Sequence, residues 1–438
     1  MALVATTFDT GRYPSACKGL CETPDGLSTP CEVQGHHNIM LDSSRNHRKA
    51  LAITRISTFL DSVVELKIGE RARYLFQVQY LFSPALFALV RALPAMGQLH
   101  TVELSVLFLA ETYLYRILSS SHLTHLMLRA VQMPKITRVP PSNPKLRKLT
   151  LEAVSWDAVQ SLIVHLAASL EYLELNLHGF PFGPQSGPQL PPLPSLRELR
   201  HHHNHGNEAV LDEVLHVSQV THLHLFGPLD SSRIAAFPES LHHLSTQDGM
   251  LTQGMLGTAP IAQLISLSIR WSQEWEMNYH LTLSAFVCDH FPGITSLHLN
   301  IRWSLRNVAL VIARSQHNVR AMELAIVTRQ GLDSEGRWRR TQVAILNDYL
   351  RNNMFPGVLQ SLRLDVVQIS GELERSLAPC SRWIDDDIVH PVKGLGGSDL
   401  KSIDVSFVLQ ESVLGRERRI WKRWSKSPDG DWQIEGAL

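Results

Sequence analysis

The sequence predicts an α/β solenoid, in which short parallel strands stack side by side and helices or loops return the chain between them. Three observations support this fold class. The pattern L-x-x-L-x-L, with Val, Ile or Met allowed in place of Leu, recurs thirteen times along the 438 residues. Between residues 99 and 264 the copies begin 24, 23, 24, 26, 24, 21 and 23 residues apart. Hydrophobic residues make up 44% of the chain and charged residues 19%, which is typical of a folded protein.

Each copy predicts one strand with two different faces. Side chains alternate along a strand, so the fourth and sixth positions build a leucine core while the third, fifth and seventh line the opposite, concave face. One repeat cannot bury its apolar side alone, so neighbouring repeats must stack. The period is that of leucine-rich repeats, which predicts an irregular horseshoe with parallel strands on the concave face and helices and loops on the convex face. The copies begin at residues 63, 99, 123, 146, 170, 196, 220, 241, 264, 294, 319, 359 and 400.

The copies divide the chain into three regions. Residues 1–45 are rich in turn-forming residues and lack apolar periodicity, which predicts a disordered N-terminal tail. Residues 46–410 form the leucine-rich-repeat solenoid, and residues 411–438 form a C-terminal cap and basic tail. The apolar stretch 74–93 is interrupted by polar residues and Pro84, so it predicts a buried helix rather than a membrane span.

Several spacers between copies predict helices on the convex side. In the clearest of them Ser155 is the expected N-cap and one face is apolar. That face comprises Val159, Leu162, Ile163 and Leu166. The predicted helices lie within 155–169, 207–218, 304–316 and 341–352.

Other spacers carry too much proline for a long helix. Residues 139–144 and 179–194 are therefore predicted to be loops or extended connectors. The later copies are about 40 residues apart, so the repeat register is least well defined across 327–400.

The C-terminal stretch RERRIWKRWSK, residues 416–426, carries six basic residues, one acid and two tryptophans. It predicts an amphipathic helix that caps the open end of the solenoid, with Ile420, Trp421 and Trp424 inward, since terminal repeats need a cap. The alternative is a nucleic-acid-binding segment or a nuclear address.

Composition and missing motifs exclude several classes of function. Lysine plus arginine equals aspartate plus glutamate, 41 against 41, so no overall charge attracts nucleic acid or an anionic membrane. The five cysteines do not form a disulfide framework and no signal peptide is recognised, which predicts a cytoplasmic or nuclear protein. G-x-S-x-G, Walker and H-E-x-x-H motifs are not found, so we expect neither an enzyme nor a bound cofactor.

The chain resembles the fungal, mostly basidiomycete, F-box/leucine-rich-repeat-like proteins. The resemblance lies in the irregular repeats and in two segments, RKALAITRISTFLDSVVELKIGE at 48–70 and ALFALVRALPAMGQLHTVEL at 85–104. It extends over roughly 46–410 and implies a receptor that recognises substrates of ubiquitin ligases. An F-box is not recognised before Asn46, so binding to the adaptor of cullin-based ligases rests on analogy alone.

The histidine-rich stretch LRELRHHHNH, residues 196–205, raises the question of a metal site. The register makes His201 a partly buried substitute for a core leucine, with Asn204 at the ninth position, while His202 faces the concave side. His222 and His243 take the same third position in neighbouring copies, with His224 beside them. Parallel strands hold such side chains side by side rather than aimed at one point, which favours a partner-binding or neutral surface over a metal site.

Two further clusters have the residue types of metal ligands. Cys17, Cys21 and Cys31 with His36 and His37 match no known finger spacing, so we expect no structural zinc there. The acidic loop at 385–387 with His390 is predicted to be solvated rather than to bind a divalent cation.

The predicted function is a protein–protein interaction scaffold, a substrate-recognition type protein related to F-box receptors, that binds a protein partner through its concave face. Phe226 is singled out as an outward aromatic where the solenoid needs none. The predicted binding residues are Tyr172, Glu174, Arg200, His202, His222, His224, Phe226, His243, Ser268 and Arg270. The alternative is a metal-dependent enzyme or nucleic-acid binder that uses the histidine-rich face or the basic C-terminus.

Overall fold

The computed structural model describes thirteen stretches of the chain, and the account below is confined to them. They are residues 37–41, 60–69, 84–133, 143–177, 190–202, 208–226, 237–247, 261–270, 290–301, 318–328, 358–370, 399–411 and 417–437. The chain divides after Val220 into two compact units, which are taken in turn.

In the described residues of unit one, seven parallel strands pair in chain order, and four helices are present. The strands are β1 (His37–Leu41), β2 (Val63–Gly69), β3 (Thr101–Phe108), β4 (His125–Gln132), β5 (Lys148–Glu152), β6 (Tyr172–Asn176) and β7 (Glu198–His202). The helices are α1 (Pro84–Ala92), α2 (Glu111–Leu118), α3 (Trp156–Leu166) and α4 (Glu208–His216), and a short 3-10 turn, Leu93–Ala95, follows α1.

The strands stack in the register that the repeat predicts. Leu126 pairs with Leu149, and Leu149 pairs with Leu173 on the next strand, each fully buried. Burial alternates along β6 and β7, so every second side chain enters the core and the others lie on the opposite face. His201 takes a core position and is 0% exposed, which confirms that it replaces a leucine.

A repeated backbone contact joins one repeat to the next. In most copies the carbonyl at the second position accepts hydrogen bonds from two successive N–H groups of the following copy, as Thr124 does from Arg147 and Lys148 at 3.0 Å each. The same geometry recurs at the Arg147 carbonyl, which accepts from Glu171 and Tyr172. These backbone hydrogen bonds set the register of neighbouring strands independently of their side chains.

Helices α3 and α4 fall within two of the predicted spacers. The predicted inner face of α3 is buried, because Val159, Leu162 and Ile163 are 0% exposed and Leu166 is 3% exposed. Ser155 precedes the first helical residue in an extended conformation, as an N-cap does, although its side chain makes no capping hydrogen bond. The helix predicted at 74–93 is described only from Pro84 onward.

The part of unit two that the structure describes contains nine strands, also paired in chain order. They are β8 (His222–Phe226), β9 (His243–Gln247), β10 (Ser266–Arg270), β11 (Ser296–Ile301), β12 (Ala321–Thr328), β13 (Ser361–Ser370), β14 (Ser402–Glu411), β15 (Glu417–Lys426) and β16 (Trp432–Ala437). Strands β8 to β14 are parallel, whereas β15 and β16 run antiparallel to their neighbours.

The C-terminal helix predicted for 416–426 is wrong, because residues Glu417–Lys426 form β15. Pairing with β14 supplies the backbone hydrogen bonds that a helix would have made internally. Aromatic residues such as the two tryptophans are also common in strands. Trp424 pairs with the buried Ile403 and is 1% exposed, so this residue enters the core as predicted. Trp421 is opposite Ser406 on the other face and only half-buried, while the side chain of Ile420 lies outside the described residues.

The N-terminal boundary at residue 46 also needs correction. Residues His37–Leu41 form β1 and pair in parallel with β2, from Asn38 opposite Glu65 to Leu41 opposite Ile68. A five-residue strand is too short to show periodicity, so composition alone places this segment in a tail. Its hydrogen bonds come from the neighbouring strand, which local composition does not reveal.

Some sequence predictions lie outside the described residues. These are the helices at 304–316 and 341–352, most of both proline-rich spacers, Asn204, the cysteines with His36, and the acidic loop with His390. Among the described residues, every helix is too short or too polar to cross a bilayer. In both units the strand register and buried leucines are those of an α/β leucine-rich-repeat solenoid, as the sequence predicts.

Candidate binding face

We define the open face as the side of the strands opposite the leucine core, formed by the third, fifth and seventh positions of the repeats. All ten predicted binding residues lie on this face. Tyr172 and Glu174 are on β6, Arg200 and His202 on β7, and the remaining six on β8, β9 and β10. Their placement follows the alternation of burial along the strands, and their role in binding stays a prediction.

A cluster of interlocked side chains surrounds Tyr172 in unit one. The guanidinium of Arg200 lies 5.3 Å from the centre of the Tyr172 ring, and the Lys148 ammonium lies 6.0 Å from it. Lys148 and Arg200 come from the strands on either side of β6, so cations of both neighbours approach one aromatic ring. We call Tyr172 with His125, Lys148, Glu174, Arg200 and His202 the Tyr172 cluster.

Glu174 ties this cluster together. The Tyr172 hydroxyl donates a 2.7 Å hydrogen bond to one carboxylate oxygen of Glu174, and His202 Nε2 lies 3.5 Å from the other. Arg200 donates in turn to Glu198 at 3.0 Å. The hydrogen bond from His202 and that from Tyr172 outweigh burial and lower the pKa of Glu174 to about 2. Burial and the bond to Glu174 raise the pKa of Tyr172, so the hydroxyl remains a donor at neutral pH.

His125 belongs to the Tyr172 cluster and contacts Thr150, and neither residue was among the predicted binding residues. The His125 ring meets Tyr172 edge-on at 6.5 Å, and its Nε2 lies 3.3 Å from the Thr150 hydroxyl. Thr150 takes a fifth position on the open face yet is only 4% exposed. Burial, together with the nearby Lys148 charge, lowers the pKa of His125, which favours its neutral form at pH 7.

A ladder of alternating charges crosses the earlier strands of unit one. Lys67 lies 3.0 Å from Glu65 and 3.4 Å from Glu103. Arg129 then bridges Glu103 at 3.1 Å and Glu152 at 3.3 Å. Each residue occupies an open-face position, so the register that identified Tyr172 would also have found this ladder in the earlier copies.

In unit two the predicted histidines are neighbours but do not converge. His222 pairs with His243, and the two rings stack 4.1 Å apart at an angle of 11°. His224 is opposite Ser245 rather than a third imidazole. Burial and the neighbouring imidazoles of His222 and His242 lower the pKa of His243.

The arrangement argues against a metal centre on these histidines. Rings that stack face to face point their nitrogen lone pairs along parallel planes, so they do not meet at one ion. Within the part of the chain that the structure describes, no three His, Cys, Asp or Glu side chains are grouped closely enough to hold a metal.

Phe226 lies on the open face of β8, as predicted, but is half-buried rather than fully exposed. Ser268 is half-buried and Arg270 is exposed, at two of the three outward positions of β10. The aromatic on this strand is therefore partly covered by protein, and only part of its ring is accessible to a partner.

The later strands of unit two carry a second charged row that the sequence prediction did not include. His298 lies 3.6 Å from Glu323, and Arg363 reaches Glu323 at 3.6 Å and Asp365 at 3.0 Å. Asp365 also accepts a hydrogen bond from the Ser406 hydroxyl.

The same row continues onto the C-terminal strands. Arg423 on β15 pairs with Asp404 and stacks 5.4 Å from the Trp421 ring. One of the basic residues of the C-terminal stretch is therefore already paired within the protein.

No protein-family model and no curated protein matches the chain. Among solved structures, an internalin from Listeria monocytogenes is similar over 85% of this chain and 89% of that one, at 12% identity and a TM-score of 0.25. The crystal structure of a TLR13–ssRNA13 complex is similar over 86% of this chain and 45% of that one, at 14% identity and a TM-score of 0.30. Similarities this distant carry no argument about function, and the assignment of the fold rests on the strand register and core described above.

Proposed function

We propose that this chain is a protein-binding leucine-rich-repeat scaffold whose partner docks on the open face, with the Tyr172 cluster as the anchor in unit one. The observation that carries the proposal is the half-buried Tyr172 ring, which is approached by Arg200 and Lys148 and hydrogen-bonded to Glu174. Tyrosine and arginine are enriched among the residues that dominate protein interfaces.

The cluster is ordered by its own contacts. Binding costs free energy when long side chains must be immobilised, and here Tyr172, Glu174 and Arg200 are already held by hydrogen bonds and ring contacts. A partner would therefore meet a surface whose side chains are pre-organised.

The extent of the face favours a macromolecule over a small ligand. Charged open-face residues run from Glu65 on β2 to Arg200 on β7. Six strands at a spacing of about 4.8 Å span roughly 24 Å, the dimension of a protein interface patch rather than of a small molecule.

The test is quantitative affinity purification with mass spectrometry, using the full chain as bait. The double variant Tyr172→Ala/Arg200→Ala removes the anchor, and Thr112→Ala, at an exposed position on α2, is the matched control. We expect the double variant to recover fewer specific partners, because each anchor residue contributes about 1–3 kcal/mol to the free energy of binding. The control should recover the partners as the wild-type chain does. Equal recovery with both variants, at equal thermal stability, would show that the partner docks elsewhere.

We further propose that the chain recognises substrates in the manner of F-box receptors, a relation that the segments 48–70 and 85–104 support by resemblance alone. A pull-down with the recombinant F-box adaptor tests whether this role includes docking to a ligase. Since no F-box is recognised in residues 1–45, we expect no direct capture. Stoichiometric capture would reveal a divergent F-box and establish a role in a ligase.

A further inference from the structure

A cavity of about 420 Å³ opens between the C-terminal ends of α1 and α2, away from the open face. Its floor is apolar, since Val90, Leu93 and Met96 are each at most 3% exposed. Arg91, from the last turn of α1, and Arg116, from the last turn of α2, stand exposed at its rim. The volume falls in the range of small-ligand sites.

The rest of the rim is polar and carries no acid. Ser119, Ser120, Ser121 and His122 follow α2 around the cavity, and none of the described residues that line it is acidic. Two guanidinium groups, the hydroxyls of Ser120 and Ser121, and an imidazole are donors suited to an oxyanion.

Contacts outside the cavity hold this rim in place. The Ser119 hydroxyl donates to the Tyr115 carbonyl at 2.7 Å, and the buried Asn143 amide donates to the Ser120 carbonyl at 2.9 Å. His100 Nδ1 lies 3.1 Å from the His122 carbonyl. These contacts fix the backbone that carries the rim residues, so less backbone entropy is lost when a ligand binds.

We infer that this cavity binds a phosphomonoester carried on an apolar group, with Arg91 and Arg116 on the phosphate and the apolar group against Val90, Leu93 and Met96. Arginine matches the geometry of phosphate with paired N–H donors, and the apolar floor favours a ligand that also carries an apolar group. Inorganic phosphate alone would leave most of the cavity unfilled.

One nearby carboxylate opposes the anion and supplies a reciprocal test. A Cβ placed on Gly97, which lines the cavity, would come within 2.7 Å of an Asp61 carboxylate oxygen. Asp61 is therefore close to the cavity wall, and its negative charge repels a bound phosphate. Replacing it with asparagine should strengthen binding.

The experiment is isothermal titration of the full chain with phenyl phosphate, and with inorganic phosphate and phenol as partial ligands. We expect phenyl phosphate to bind more tightly than either part. Arg91→Gln and Arg116→Gln should each weaken it about tenfold, the scale of one charge-assisted hydrogen bond. Asp61→Asn should tighten it, and Lys145→Gln, at an exposed lysine outside the cavity, should change nothing.

A phosphotyrosine peptide identifies the source of the ligand. Tighter binding of this peptide than of phenyl phosphate assigns the site to a modified protein, and weaker binding assigns it to a small phosphorylated molecule. Circular dichroism and thermal melting first establish that each variant is folded. Equal binding of phenyl phosphate to the wild-type chain and both folded arginine variants, or no binding at all, overturns the inference while leaving the open-face proposal intact.

Discussion

The substitution Leu223→Asp gives the most direct test of the strand register in unit two. Leu223 takes a core position on β8, pairs with the buried Leu244 and is 1% exposed. Burying one leucine side chain contributes about 2–3 kcal/mol. The aspartate loses that contribution, and it places an unpaired carboxylate in the core at a further cost of about 3 kcal/mol or more.

The combined loss of about 5 kcal/mol is comparable with the whole stability of a typical domain, which is roughly 5–15 kcal/mol. We therefore expect Leu223→Asp to disrupt the cooperative unfolding of the protein, as followed by urea denaturation and calorimetry. Phe226→Ala removes a half-buried side chain from the open face and should cost about 1 kcal/mol or less.

For partner binding, the informative substitution is Phe226→Ala, which has little effect on stability. Phe226→Ala is expected to weaken a partner that docks on β8 by about 1–3 kcal/mol while the protein stays folded. If Phe226→Ala unfolds the protein and Leu223→Asp is tolerated, the strand is shifted by one residue and every side chain assigned to the open face of β8 belongs in the core.

Three further outcomes are expected. Because the folded-state pKa of Glu174 is about 2 and thus below its ordinary value, its ionised form stabilises the protein at neutral pH, and this stability is lost as the pH falls from about 4.5 to 2. Glu174→Gln should flatten that part of a stability–pH curve by about 1 kcal/mol, and an unchanged curve would contradict the contacts with Tyr172 and His202. An NMR titration should show the pKa of His243 below its ordinary value, and this pKa should rise in His222→Ala because one repelling imidazole is removed. The stability that neutral His243 contributes is present above pH 6.5 and declines as the pH falls below it. Limited proteolysis should remove residues within 1–36 and leave a resistant body that includes β1. Protection of Cys17 to Cys31 would contradict this expectation and indicate a small metal-binding domain there.

The fold was predictable because it rests on a repeated local pattern. Leu173, Leu199 and Leu223 enter the core in the order that the motif requires, and the alternation of two faces is a property of any strand. The same periodicity placed Tyr172 and His202 on the open face without knowledge of any neighbour.

The C-terminal strand β15 is an element whose type the local pattern could not predict. Both a helix and a strand can place Trp424 inward, and the basic residues around it favour neither. The unpaired edge of β14 decided between them, because pairing with it satisfies the backbone of β15 and buries Trp424 against Ile403. The strand β1 was missed for the same reason, since its partner β2 lies more than twenty residues later in sequence.

The sequence by itself determined the period of the repeat, the residues of the core and the side of the strand on which each candidate residue lies, because each depends only on spacing along the chain. Only the tertiary structure decided which of those residues touch. Arg200 and Lys148 flank Tyr172, and His222 stacks on His243, because neighbouring strands stand about 4.8 Å apart in a register set by backbone hydrogen bonds. The cavity between Arg91 and Arg116 likewise exists only where two helices of successive repeats meet.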